Sequence, residues 1–413
     1  MRITKIHARQ IFNSRGNPTV ECDLWLGKYF GRASVPTGAS TGIHEAWDLH
    51  DGRKEYFGRG VKIAVNNINI TIAKHVKNKS FTQKTLDDFL IKLDGTKNKH
   101  RLGANAILAV SMAFAKAAAQ KRPLYSYLSQ FSKKKMVLPI PFFNIINGGK
   151  HAGGKLPFQE FMIAPVKAKS FSEAMRIGSE VYHMLKKEIG KKYGKVGTNV
   201  GDEGGFAPPI RRAEQALNLI IKAVNDLGYE DKVKIAMDCA ASEFYRKKRY
   251  VVGRGLSARQ LMRYYEQLIN DYPIISMEDP FSEDDFNSFQ QFMDFAGKKI
   301  QVVGDDLLVT NIERIQMAVE RNLCNALLLK VNQIGSVSEA IQAANLALKN
   351  KWGVMVSHRS GETDETFIAD LAVGLGINQI KAGAPCRGER LAKYNRLLRI
   401  EEELGRKVCY AEF

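Results

Sequence analysis

Six polar or charged side chains each close a short apolar run. They are Asp238 in KIAMD, Glu278 in IISME, Asp305 in IQVVGD, Lys330 in ALLLK, His358 in GVMVSH and Lys381 in NQIK. Carboxylates brought together repel one another and stay partly protonated unless a cation sits among them, and hard divalent cations take such oxygen ligands. Asp238, Glu278 and Asp305 are therefore candidate metal ligands, and all-oxygen ligation favours Mg²⁺ or Mn²⁺ over zinc. Lys330 ends a wholly apolar run, so burial and nearby positive charge are expected to lower its pKa and make it a base near neutral pH. A Schiff base is the rival chemistry for such a lysine, made redundant by the carboxylate trio. Lys381 supplies a second positive charge at the same rim. The combination reads as a metal-dependent enzyme.

Three small-residue loops add to this set. GDEGGFAPP (Gly201–Pro209) places Glu203 in a glycine-bounded turn, where the backbone can approach a ligand and present a general acid. NGGKHAGG (Asn147–Gly154) carries His151, and VPTGASTG (Val35–Gly42) carries Ser40; both resemble lids more than structural turns. In HRSG (His358–Gly361), Arg359 stands beside the run-ending histidine and suits a bidentate grip on phosphate or carboxylate.

The six runs lie 23 to 40 residues apart, enough for a short strand, a helix and two loops each time. Such alternation is the sequence form of a parallel sheet with crossover helices, and this many repeats suggest a closed barrel whose strand ends share one face. Before them stand two apolar runs with no long helix between, Ile140–Ile146 and Phe158–Pro165, then helical stretches at Ser170–Tyr193 and Arg211–Leu227. The expected order is ββαα(βα)6, an α/β barrel over 134–413. A smaller α+β domain is expected over 1–133, with strands at Arg2–Arg9, Thr19–Leu26 and Tyr29–Ser34. Its alanine-rich stretch Asn105–Gln120 is apolar nearly all round and reads as a buried helix. The charged, proline-containing SKKKMVLPIP marks the boundary.

Composition sets bounds. No stretch approaches the roughly 20 apolar residues of a membrane span, and the first residues lack the apolar core of a signal peptide. Five scattered cysteines without a CxxC pair argue against disulfides and structural zinc and point to a reducing cytoplasm. Of the net charge of +19, residues 1–135 hold +15, from 24 Lys/Arg and 9 Asp/Glu. No zinc-finger, RNP or Arg-Gly signature accompanies this basicity, so it reads as a solvated lysine-rich surface, including Lys74, Lys77, Lys79, Lys97, Lys99, Arg101 and Lys133–Lys135. Such a surface is expected to bind polyanions weakly and without sequence preference.

Taken together, SRGNPTVE, ASTG, NIINGG, FQEFMIAP, GDEGGFAP, DCAASEFY, MEDP, GDDLLVTN, LLLKVNQIG, SHRSGETDE and GAPCRGERLAKYN resemble the enolase family over nearly the whole chain. The resemblance implies reversible dehydration of 2-phosphoglycerate to phosphoenolpyruvate with two Mg²⁺ per site, the second arriving with substrate. It makes Asp238, Glu278 and Asp305 ligands of the tighter ion and Ser40 a ligand of the second. It makes Lys330 the base at C2 and Glu203 the acid at the C3 hydroxyl, with Glu160 supporting Glu203 and Gln159 beside it. His151, His358, Arg359 and Ser360 would grip the substrate, and Lys381 would neutralise its carboxylate. A Lys or His base with one or two Mg²⁺ ions is the standard description of enolase-superfamily sites, so the mechanism is a known one. The resemblance also implies a homodimer with Glu21 of one chain paired to Arg399 of the other. Thr37 stands where the family commonly has serine, and Lys150 and Lys155 add charge around His151; neither change touches the chemistry. Another acid–base dehydratase of the superfamily would keep the metal trio without Glu203, Ser40 and SHRSG. A pure binding protein would need none of these groups.

Overall fold

The computed structural model describes residues 1–38 and 42–413, so Ser40 lies outside the described residues. The chain begins with an antiparallel sheet of β1 (Lys5–Phe12), β2 (Pro18–Leu26) and β3 (Tyr29–Ser34), its central strand β2 buried almost throughout. The first strand starts later than expected; Arg2 makes only an isolated bridge with Ser80. Beyond a helical stretch at 62–76 come two longer helices, α1 (Gln83–Asp94) and α2 (Ala104–Ala119); α2 packs on the sheet and α1 on α2. Alanines on α2 let the sheet come very close: a Cβ at Gly31 of β3 would stand 2.1 Å from the Ala113 carbonyl oxygen. That contact explains both the glycine and the alanine-rich helix.

After Lys133–Lys135 comes the barrel. Its strands are β4 (Ile140–Asn147), β5 (Glu160–Ala164), β6 (Lys234–Asp238), β7 (Ile274–Glu278), β8 (Gln301–Gly304), β9 (Ala326–Leu329), β10 (Gly353–Ser357) and β11 (Gln379–Lys381). They close in that order, β11 pairing with β4, so ββαα(βα)6 is the observed topology. The helices α3 (Phe171–Tyr193) and α4 (Ala213–Asn225) separate β5 from β6. A helix follows each later strand: α5 (Ala258–Asp271), α6 (Phe286–Ala296), α7 (Ile312–Arg321), α8 (Val337–Lys349), α9 (Phe367–Leu375) and α10 (Gly388–Leu404). Strands buried on both faces explain the unbroken apolar runs. Ile140, Phe142, Met162, Val303, Leu328 and Met355 fill the barrel, while Phe143, Ile163, Leu327 and Leu329 point outward into the helix layer.

The uniform barrel is broken at β5, which runs antiparallel to both β4 and β6. A reversed strand brings its first residue, not its last, to the shared carboxyl face. Glu160 therefore stands beside Asp238, which in turn stands beside Glu278 in the parallel β6–β7 pairing.

The amino-terminal region is tied to the barrel through the start of α8. Asp87 of α1 accepts the Ser338 backbone N–H at 2.9 Å, and Ser111 of α2 accepts that of Val337 at 3.0 Å. A foreign carboxylate and hydroxyl thus meet the unpaired donors of a helix N-terminus. Lys99, expected in solvent, is buried and ion-paired with Glu339 at 3.0 Å in the same seam. The expectation failed there because lysine's usual exposure yields to a buried carboxylate partner. Among the described residues no helix is long and apolar enough to cross a membrane.

Candidate active site

At the carboxyl face the row Glu160–Asp238–Glu278 surrounds one ammonium group. Lys381 Nζ lies 3.0 Å from Glu160 Oε2, 3.1 Å from Asp238 Oδ2 and 2.8 Å from Glu278 Oε2, with all four side chains buried. Gln159 Nε2 approaches Asp238 Oδ2 at 3.4 Å. Burial disfavours the Lys381 charge, but Asp238, Glu160 and Glu278 outweigh it and hold the pKa well above the ordinary value. Burial and the Asp238 charge push Glu278 well above the usual carboxylate range, and Glu278 Oε1 has no hydrogen-bond partner among the described residues.

One strand further on, Lys330 Nζ meets Asp305 Oδ2 at 2.5 Å, while Gln333 Nε2 donates to Asp305 Oδ1 at 2.8 Å. Burial lowers the Lys330 pKa, yet Asp305 more than offsets it and the net shift is upward. The expectation of a lowered pKa is thus overturned in this arrangement, because an adjacent carboxylate acts more strongly than desolvation. Asp279 fixes the loop that bears Asp305, accepting the backbone N–H groups of Asp305 at 2.9 Å and Asp306 at 2.7 Å.

Glu203 lines the same cavity as the lysines. Its loop folds tightly against the His151 turn: a Cβ at Gly201 would lie 2.5 Å from the His151 carbonyl oxygen. Asn144 Nδ2 donates to Glu203 Oε2 at 2.9 Å, and His358 Nε2 lies 3.3 Å from the same oxygen, close but not aligned as a hydrogen bond. His151 Nδ1 is 3.5 Å from Glu160 and 3.6 Å from Glu203, bringing the two carboxyls together. Burial followed by the Glu203 charge raises Glu160 well above its usual range. Burial opposes the Glu203 charge too, but attraction to His358 and His151 holds its pKa well below. Burial also lowers His151, and burial, against the opposing pull of Glu203, lowers His358 to about 4.

A small cavity joins these groups, lined by His151, Gln159, Glu160, Glu203, Asp238, Lys330, Ser357, His358, Arg359, Ser360 and Lys381. A roomier cleft past Thr37, Trp47 and His50 brings no lysine. Arg359 is held in a two-pronged grip by Glu45, at 2.9 and 3.2 Å, just beyond the first lid segment. Glu45 shows what the guanidinium is shaped to receive: an anionic group with two oxygens.

The carboxyl-terminal part, residues 135–413, matches the family description "Enolase, C-terminal TIM barrel domain", and residues 3–128 match "Enolase, N-terminal domain". The chain belongs to the enolase family. The reversed second barrel strand and the small preceding sheet agree with that membership.

Enolases are lyases, and a donor set for a metal must exist here if this chain works as they do. Among the described residues, two groups bring three ligand atoms within 4.8 Å: His151/Glu160/Glu203 and Asp279/Asp305/Asp306. The first contains the Glu160–Glu203 carboxyl pair, and in the second the Asp279 oxygens are taken by backbone donors. Asp238, Glu278 and Asp305 do not form such a group, since the ammonium of Lys381 stands between the first two and that of Lys330 on the third. The unpartnered Glu278 Oε1 and the raised pKa of its carboxyl mark a place still short of positive charge. The all-oxygen trio fits a hard divalent cation.

Asn144, Asp279, Gln333, Glu45 and Arg390 are part of the site and were not singled out from the sequence. Four lie in or beside the motifs NIINGG, MEDP, LLLKVNQIG and GERLAKYN, but no spacing rule assigns them a role. Glu45 carries no signal beyond its nearness to the lid.

Proposed function

We propose that this enolase-family chain catalyses Mg²⁺-dependent, reversible dehydration of 2-phospho-D-glycerate to phosphoenolpyruvate. The observation that carries the reading is one cavity lined by Lys330 and by the neighbouring carboxyls of Glu203 and Glu160. An anti elimination needs a base at C2 and an acid at C3 on opposite sides.

Arg359 and Ser360 receive the phosphate, with Arg359 exchanging Glu45 for it. Lys381 faces the substrate carboxylate. Asp238, Glu278 and Asp305 would hold a divalent cation, which would supply positive charge against that carboxylate, and Asp305 so engaged would no longer favour a protonated Lys330. Lys330 then takes the C2 proton on Nζ. The Glu203–Glu160 pair delivers its proton to the C3 oxygen, which leaves as water while the C2–C3 double bond forms. His151 and Gln159 border the same space and orient the leaving group. Ser40 belongs with the second Mg²⁺ by family resemblance alone. Adding 2-phosphoglycerate and Mg²⁺ should produce the ultraviolet absorbance of the enol product, and activity that survives thorough chelation would refute the metal dependence.

The same reading includes a cytoplasmic homodimer. Scattered free cysteines, three of them buried, suit a reducing compartment. Arg399 is exposed on α10 and available to a second chain, whereas Glu21 already contacts Arg9 of its own chain at 2.5 Å and Arg32 at 3.7 Å. An inter-chain pair would therefore join an existing network.

A further inference from the structure

Helix α10 places Arg390, Lys393 and Tyr394 on one face, and all three are buried. Tyr394 donates to the Gly383 carbonyl at 2.7 Å, and Lys393 pairs with Glu362 at 2.8 Å. Both bonds hold loops at the barrel rim. Arg390 does something more particular.

Its Nη1 donates to His358 Nδ1 at 2.7 Å and to the Arg359 carbonyl at 2.5 Å. Its Nη2 donates to the Asp202 carbonyl at 3.0 Å and the Ser360 carbonyl at 2.6 Å. One guanidinium thus ties the His358–Ser360 segment to the loop that bears Glu203. Its Nε lies 3.4 Å from Glu389 Oε1 without hydrogen-bond alignment, so that contact is one of charge only.

Arginine can donate and cannot accept, and it does not lose its proton in proteins. His358 Nδ1 must therefore be the acceptor of this bond, which leaves the ring proton on Nε2. That nitrogen faces Glu203 and the cavity and has no aligned partner among the described residues. An imidazolium here would set its Nδ1–H against the guanidinium N–H groups.

On the dehydratase reading above, we propose that Arg390 is a positioning residue that fixes His358 as a neutral Nε2–H donor aimed at Glu203 and the departing hydroxyl. His358 then acts in the acid half of the reaction as a donor and not as a base. Lysine in place of Arg390 would keep the charge but lose the planar fork that serves four acceptors at once.

Nitrogen-15 NMR of histidine-labelled protein tests this, with the His358 signals assigned by their loss in His358→Asn. The wild type should show a neutral ring protonated at Nε2; a ring protonated at Nδ1, or doubly protonated, would overturn the proposal without any variant. In Arg390→Lys the Nε2–H signature should be lost or mixed. Dehydration should fall about 10- to 100-fold while exchange of the substrate C2 proton with solvent is largely kept. An unchanged tautomer in Arg390→Lys, or equal loss of exchange and dehydration in folded protein, would show a merely structural arginine. Should the wild type fail to turn over 2-phosphoglycerate, the dehydratase reading falls, and the tautomer still decides the Arg390–His358 half.

Discussion

The division of labour at the site rests on the partners that hold each group at one small cavity. Lys330 is anchored on Asp305, whereas Glu203 is held by Asn144 and crowded by two histidines. Lys330→Ala should therefore abolish exchange of the C2 proton, whereas Glu203→Gln should stop dehydration yet leave some exchange. Losses of about 10²- to 10⁴-fold are expected for each affected step. Equal loss of exchange in both variants would mean that base and acid act as one unit. Asp305→Asn should weaken Mg²⁺ binding, read by titration of the metal, because it removes a ligand charge. The same change withdraws the charge that holds Lys330 protonated, so metal affinity and base strength should shift together.

At the scale of elements, the site depends on a strand that runs the wrong way and on a seam built from polar caps. If β5 were parallel, Glu160 would sit at the opposite end of the barrel from Asp238; only reversal puts it in the row around Lys381. The seam between α1, α2 and α8 holds the amino-terminal region against the barrel through Asp87, Ser111 and Lys99. Gly31 sets how closely β3 approaches α2. Gly31→Ala would drive a methyl group into the Ala113 carbonyl, 2.1 Å from the ideal Cβ, and the backbones must part. A loss of about 1–3 kcal/mol is expected, measured by denaturant unfolding. No loss in midpoint would show that α2 can shift freely.

Across the whole molecule, charge and assembly are separate questions. Arg399 is exposed, and Arg399→Glu should shift the chain toward monomers in sedimentation at micromolar concentration; a wild type that sediments as a monomer there would refute the dimer. The amino-terminal basicity is mostly solvated, since Lys74, Lys77, Lys79, Lys97, Arg101 and Lys133–Lys135 are all exposed. Filter binding to RNA at two salt concentrations should show weak retention at low salt that falls steeply as salt rises, because phosphate contacts release counterions. Retention that persists at high salt would make nucleic acid a specific partner instead.

Much of the fold and part of the site are legible in the amino-acid sequence alone. Apolar runs that end in Asp238, Glu278, Asp305, Lys330, His358 and Lys381 determined a barrel and a shared polar rim, because strands buried on both faces admit polar side chains only at their ends. Length and composition between the runs determined the crossover helices. What those patterns could not reach was which groups face each other across the rim. Glu160 needed the reversed strand, and Glu45, Asp279, Gln333 and Arg390 needed contacts between segments far apart in the chain. Lys330 shows the same limit in its charge. Burial could be read from ALLLK, but its pKa depends on a carboxylate 2.5 Å away on another strand. Local pattern fixes where a side chain points relative to its own strand; electrostatics depends on distance to everything else, and only the closed barrel sets those distances.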